Sequence, residues 1–342
     1  MTKIFRANLP SLIFVFVQIA TAAQVSAEPA PLRVGIIGLD TSHALAFTQT
    51  LNKGPKKPED APRVAGVRVV AAYPQGSKEI ESSIKRVPEY TEKMVAMGVE
   101  IVDSVETLVA KVDAVLLESN DGRVHLEQLQ PVLKARKPVF IDKPIAASLV
   151  DALKIFDAAA KAGVPVFSAS SLRYGMATQA VRNGSIGTVK SAETFSPVHL
   201  EPTHPDLFWY GIHGCESLYT VMGTGCQTVK RSVSEDGKVE VLGAWKGGRT
   251  GVFRQENGKD RKGYGGIAHG ETGDAPVGAY DGYDVLLFAI VEMFRSGTPP
   301  VSVTETIELY AFMEAADESK RRNGAEVSLG EVLDKAKAAA FR

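Results

Sequence analysis

Cysteine is nearly missing from this chain: Cys215 and Cys226 are the two in 342 residues. That excludes a disulfide-stapled framework and a thiolate metal cluster, although the two thiols could pair with each other or pack singly as small hydrophobes. Net charge is missing too. Thirty-nine basic against forty acidic residues leave −1 at pH 7, which gives no pull toward nucleic acid or an anionic membrane. A small neutral or weakly charged ligand fits better. No internal repeat is visible, and no apolar run reaches the ~20 residues of a spanning helix. The run centred on Leu12–Val17 is interrupted by Pro10 and Gln18. It reads instead as an export signal, because Lys3 and Arg6 precede it and Val25, Ser26 and Ala27 offer small residues to a signal peptidase. The expectation is a signal peptide over 1–27 and a periplasmic or extracellular mature chain with no membrane attachment. No adjacent arginine pair occurs in that segment, so the general secretory route is expected rather than the twin-arginine one.

What is present is enough for a full core. At 44% hydrophobic content and this length, two domains are expected. From Leu32 to about Arg173 short apolar runs alternate with amphipathic stretches, the pattern of βαβ units on a parallel sheet. Candidate strands are 32–37, 67–72, 100–102, 114–117, 139–141 and 165–167, so the fold class is α/β, with a doubly wound, Rossmann-type parallel sheet over 31–173. One helix is well marked: Ser148 and Asp151 form a capping pair, Leu149, Ala152, Leu153 and Phe156 share a face, and Gly163 closes it. Pro131 is expected to kink the helix before it, and 54–62 reads as a loop. Beyond Tyr174 the period changes. Strands at 188–195, 227–234, 239–246 and 249–255 alternate as antiparallel strands do, which predicts a second, α+β domain over 174–342 with a mostly antiparallel sheet. Glycine-dense residues 247–282 read as a mobile loop, and a last helix runs from Ser302 to Gly324.

Within this frame one stretch carries chemistry. Val139, Phe140 and Ile141 suit a strand buried on both faces, and Asp142, Lys143 and Pro144 follow where it stops. In open α/β sheets that is where ligands bind. His43, His125, Asp40 and Asp142 would face the same crevice, but their spacing does not demand a metal, and the reading is no metal site. Phe208, Trp209 and Tyr210 offer aromatic planes on which sugar rings pack, and equally a packing surface between domains.

RVGIIG at 33–38, AVLLESNDGRVH at 114–125, DKP at 142–144, LRYG at 172–175 and GIHGCESL at 211–218 stand in an order and spacing that resembles the Gfo/Idh/MocA family of nicotinamide-dependent oxidoreductases. The resemblance implies that Lys143 is the catalytic lysine, in Asp-Lys-Pro where the family has Glu-Lys-Pro. It also implies that His213 faces the nicotinamide. The family's aspartate four residues earlier is Trp209 here, so His213 acts with Lys143 alone or recruits Asp206 or Glu216. The dinucleotide turn, on Gly35 and Gly38, reads Gly38-x-Asp40-x-x-His43 and keeps one glycine of three. Asp40 would set a carboxylate against the phosphates unless the start of the next helix, at Thr41, Ser42 and His43, carries the anion. The resemblance places Ser119, Asn120 and His125 under the nicotinamide, Asp142 and Pro144 beside it, and Arg173 with Tyr174 near cofactor and substrate. Strand two ends without an acid, in Ala72, Tyr73 and Pro74. Ser77 and Lys78 nearby favour NADP over NAD as cofactor. The expected activity is NAD(P)-dependent oxidation or reduction of a sugar or polyol-like alcohol, in a possible homo-oligomer built on the second sheet. Two alternatives stand beside it: a cofactor-free exported carbohydrate-binding protein, and an enzyme that keeps NAD bound for net non-redox chemistry.

Overall fold

The computed structural model describes Met1 and residues 31–256 and 263–342; the expected signal peptide lies outside the described residues. The first sheet grows from alternating strands and helices. These are β1 (Leu32–Ile37), α1 (Ser42–Lys53), the single turn α2 (Ala61–Val64), β2 (Val67–Tyr73), α3 (Glu81–Ala96), β3 (Glu100–Ile101), α4 (Val105–Lys111), β4 (Ala114–Leu117), α5 (His125–Lys134), β5 (Val139–Ile141), α6 (Leu149–Ala162) and β6 (Val166–Phe167). All pairings are parallel, in the order β3-β2-β1-β4-β5-β6, the doubly wound order whose ligand crevice opens between β1 and β4. The central strands are apolar throughout because helices cover both faces: every residue of β4 and β5 is buried.

The capping pair expected for α6 is present: Ser148 accepts the Asp151 N–H, and Gly163 ends the helix in the left-handed conformation. Pro131 does not break α5. The helix runs through it, held by the burial of Leu129, Val132 and Leu133 against the core, so packing outweighs the lost backbone bond. Residues 54–62, read as a loop, carry a 3-10 turn at Pro58–Asp60 and the start of α2.

The second part holds α7 (Met176–Arg182), β7 (Val189–Ser196), α8 (Ile212–Met222), β8 (Cys226–Val233), β9 (Val239–Trp245), β10 (Arg249–Gln255), β11 (Gly265–Gly270), β12 (Asp274–Pro276), α9 (Asp284–Ser296), α10 (Val303–Arg321), β13 (Val327–Ser328) and α11 (Leu329–Ala340). Its sheet runs β12-β11-β7-β10-β9-β8-β13, antiparallel except where β10 lies parallel to β7. The glycine-dense stretch expected to be a loop carries β10, β11 and β12. Two of its glycines mark close backbone contact: a Cβ on Gly266 would fall 2.1 Å from the Glu193 carbonyl oxygen, and one on Gly278 2.8 Å from that of Gly265. The helix capped by Ser302 is not the last, since α11 follows it. Leu286, Leu287, Ile290 and Val291 of α9 return to the first sheet, in one core with Phe47 and Phe140. Cys215 and Cys226 are both free and buried, which settles the open pairing in favour of single packing. No helix among the described residues is long and apolar enough to cross a membrane.

Candidate active site

Because the winding reverses between β1 and β4, the segments leaving their carboxyl ends diverge and leave a cleft of about 490 Å³. Thr41, Ser42 and His43 line it from the start of α1, Ser82 and Arg86 from α3, Asn120 from the segment after β4, and Asp142, Lys143 and Pro144 from the end of β5. The second part closes it with His199, Trp209, Tyr210 and His213, and with Tyr264, Tyr280 and Tyr283.

Lys143 and His213, seventy positions apart in sequence, thus line one cleft. The Lys143 ammonium sits 5.4 Å from the centre of the Tyr210 ring, in the range of a cation–π contact. Tyr210 in turn meets His213 edge-on at 5.3 Å. Burial, and then the neighbouring Lys143 charge, hold the His213 imidazole well below its ordinary pKa, so the ring is neutral. Its partner is neither carboxylate expected from sequence. Glu216 takes the Arg173 guanidinium at 2.6 Å and the Ser170 N–H at 2.7 Å, and Asp206 takes Arg231 and Lys320. The atom beside His213 Nδ1 is the Ser170 hydroxyl, at 2.7 Å. Trp209 leans on His204 at 4.9 Å.

The turn after β1 differs from expectation in a way that matters for phosphate. Asp40 does not face the cleft. Its carboxylate is fully buried, accepting the Ser83 hydroxyl at 2.7 Å and the Asn120 N–H at 2.9 Å. Burial pushes its pKa up to about 6 against those bonds. The Asp40 carbonyl meanwhile accepts from Arg86 at 3.0 Å, which anchors that guanidinium at the cleft wall. Gly38 has φ +89 and lies so close to Ser119 that a Cβ would stand 2.4 Å from its nitrogen. Gly35 serves packing: a Cβ would meet Leu108 at 2.9 Å. Thr41 makes no side-chain cap on α1 and instead donates to Glu118 at 3.1 Å.

Three residues named from sequence lie behind the cleft rather than in its lining. His125 is fully buried with both ring nitrogens on backbone oxygens, 2.7 Å from Ser119 and 3.0 Å from Ile145, so it ties the segments after β4 and β5 together. The Ser119 hydroxyl accepts from Gln128 at 2.9 Å. Arg173 sits in a buried ion cluster with Glu216 and Glu305, which Arg182 joins.

His43, at the third glycine position, meets Asp142 through Nδ1 at 3.0 Å, with Tyr283 edge-on at 4.4 Å. Burial raises the Asp142 carboxyl, but the neighbouring His43 and Lys143 side chains outweigh it and hold it below the usual range. Beside it Glu118 is pushed well above that range by burial and by Asp142.

Sequence reasoning missed Ser82, Arg86, Glu118, Ser170 and the three tyrosines. Glu118 carried a signal, a charge directly after an apolar strand. The tyrosines carried none, since their segment reads as turn.

The sheet order and the crevice at its switch point define a doubly wound fold of the dinucleotide-binding type. Residues 32–170 match the family model GFO_IDH_MocA, described as oxidoreductase family, NAD-binding Rossmann fold. A 1,5-anhydro-D-fructose reductase of Ensifer adhaerens is 38% identical over 107 residues, 30% of this chain and 32% of that protein; the match spans about a third of the length of that curated relative. Among solved structures, a probable dehydrogenase from Thermotoga maritima is 22% identical with a TM-score of 0.66, over 88% of this chain and 100% of that one. A myo-inositol dehydrogenase from Lactobacillus casei, in complex with NAD(H) and myo-inositol, is 16% identical with a TM-score of 0.67, over 87% and 96%. These likenesses show a shared fold that extends beyond the family-model match.

Proposed function

We propose that the protein is an exported NAD(P)-dependent oxidoreductase of a sugar or polyol-like alcohol, with Lys143 as acid/base and His213 as its partner. The observation that carries this reading is the convergence of Lys143 and His213 on the cleft into which α1 opens. The residues present fit a dinucleotide. Asp40 is turned away, the first turn of α1 has no side-chain cap, Arg86 supplies a cation at the wall, and the buried Asn120 Oδ1 has no partner of its own. Helix starts of this kind hold phosphate, and Asn120 suits an amide. With no acid at the end of β2, and with Arg86 joining Ser77 and Lys78 on that side, NADP is the preferred form.

When bound, the nicotinamide accepts or returns a hydride. The chain's own task is the proton. Lys143 as the free amine takes it from the hydroxyl in oxidation, becoming the ammonium, and the ammonium gives it back in reduction. The Leu172 N–H donates to Ser170 Oγ, so the Ser170 hydroxyl hydrogen is available to His213 Nδ1. That tautomer carries its proton on Nε2, where it can hold the substrate oxygen. Trp209 and Tyr210 give a sugar ring an apolar face.

Export is proposed from the amino-terminal pattern, with cleavage after Ala27, and is checked by the mass of the mature protein. Leu242 and Ile267 stand exposed on the outer sheet and favour a homo-oligomer, which sedimentation would detect. The central test denatures the purified protein to look for released nucleotide, then titrates the stripped form with NAD and NADP before assaying polyols. Failure of both nucleotides to bind at about 1 mM, far above ordinary cofactor affinities, refutes the reading and leaves a carbohydrate-binding protein. Nucleotide released on denaturation, with no exchange during turnover, points instead to net non-redox chemistry.

A further inference from the structure

Three ligand-type side chains converge at the inner end of the cleft, which His43 and Asp142 line and behind which Glu118 is fully buried. His43 comes from the first turn after β1, Glu118 directly follows β4, and Asp142 directly follows β5. Their donor atoms all lie within 4.8 Å of one another, and His43 Nδ1 is already 3.0 Å from Asp142 Oδ2. All three are buried, Glu118 and Asp142 completely. One Glu118 oxygen accepts the Thr41 hydroxyl, but the other, Oε1, is buried with no hydrogen-bond partner. An orphaned carboxylate oxygen is costly, and two adjacent carboxylates need a proton or a cation between them.

The imidazole decides between those two. A shared proton needs only the carboxyls, whereas an imidazole nitrogen within 4.8 Å of both carboxylates completes the mixed N/O set that divalent transition cations take. Bonds of about 2.1 Å set ligand atoms roughly 3–3.5 Å apart, so the cluster needs only a small inward turn of its side chains. We propose that His43, Glu118 and Asp142 bind one divalent transition cation, of the Zn²⁺ or Mn²⁺ kind, with its open positions on the cleft side near Lys143. There the cation takes an oxygen of the substrate. That last step rests on the alcohol substrate proposed above; cation binding does not.

The test uses the full mature chain, stripped with chelator and free of nucleotide, titrated with Co²⁺ and Zn²⁺ by calorimetry and visible absorption. The expected result is one Co²⁺ per chain with ligand-field bands, displaced by Zn²⁺, and affinity reduced roughly 100-fold or more in Glu118→Gln and in His43→Gln. Should Glu118→Gln not fold by circular dichroism, His43→Gln carries the comparison. The proposal is overturned if wild type binds no cation saturably up to about 1 mM, or if a folded variant binds as tightly as wild type. Because no nucleotide is present, failure here leaves the oxidoreductase reading standing, and failure of the nucleotide titration leaves this site standing.

Discussion

Replacing Gly38 by alanine tests how the switch point of the first sheet is built. Gly38 has φ +89, and a Cβ there would lie 2.4, 2.5 and 2.6 Å from the Ser119 nitrogen, Oγ and Cα. The left-handed backbone alone costs alanine about 1–2 kcal/mol. The overlap costs about 1–3 kcal/mol more, as other small-to-large changes in packed regions do, because most of the obstacle is backbone and cannot swing aside. Ser119 has no room to retreat. Its carbonyl is held by His125, its hydroxyl by Gln128, and the next N–H by Asp40. Gly163 provides the control: it has φ +63 with nothing within 4 Å of its Cβ, so Gly163→Ala meets the backbone cost alone. Urea unfolding of both variants, followed by circular dichroism, should show Gly38→Ala less stable than Gly163→Ala by about 1–3 kcal/mol. It should also show weaker nucleotide binding in Gly38→Ala, since the displaced segment carries Asn120. Equal losses in the two variants would refute the reasoning.

Ser170→Ala removes the His213 Nδ1 partner, and with it control of the tautomer. The expected effect is a fall in kcat of about tenfold or more with KM little changed; steady-state kinetics showing KM as the parameter that moves would assign Ser170 to binding. Tyr310→Phe strands the Ile145 N–H, which now donates to the tyrosine oxygen at 2.6 Å. A loss of about 1–3 kcal/mol and faster amide exchange at Ile145, two residues past Lys143, are expected, and unchanged exchange would contradict them. Asp317 gives a pH signature. Burial, then Asp206, push its carboxyl up to about 6 from 3.8, while Arg231 and Lys320 pull it down and Glu314 adds repulsion. A raised carboxyl binds its proton more tightly in the folded state, so stability falls as pH rises from about 4 through about 6, by at most about 3 kcal/mol. Asp317→Asn should flatten that part of the stability–pH curve, and an unaltered slope would show that the group is not the source.

What the sequence disclosed follows from period and punctuation. β1, β4 and β5 stand at the expected residues because a strand covered on both faces must be apolar throughout, and a charged residue directly after such a run must emerge at the crevice. Lys143 was legible for that reason. Asp40 was legible as a residue but not as a direction: its carboxylate turns to Ser83 and Asn120, and nothing in a single strand's pattern says which way a turn residue points. The tyrosines show the limit more sharply. Ser42 meets Tyr283 across 241 positions, and Tyr283 directly follows a glycine-rich stretch, 247–282, that holds Tyr264 and Tyr280 and whose composition mimics a mobile loop. Gly266, Gly270 and Gly278 are there because neighbouring backbone lies too close for a side chain, whereas Gly247, Gly248 and Gly282 face open space with positive φ. Composition therefore reports where a Cβ is absent but not why, and open space and close contact ask for the same residue. His213 illustrates the complementary case. Spacing along α8 offered Glu216 one turn away, yet Arg173 claims that carboxylate and a serine from another element takes its place. Local geometry sets which partners are within reach; the competition among buried charges decides which one is used.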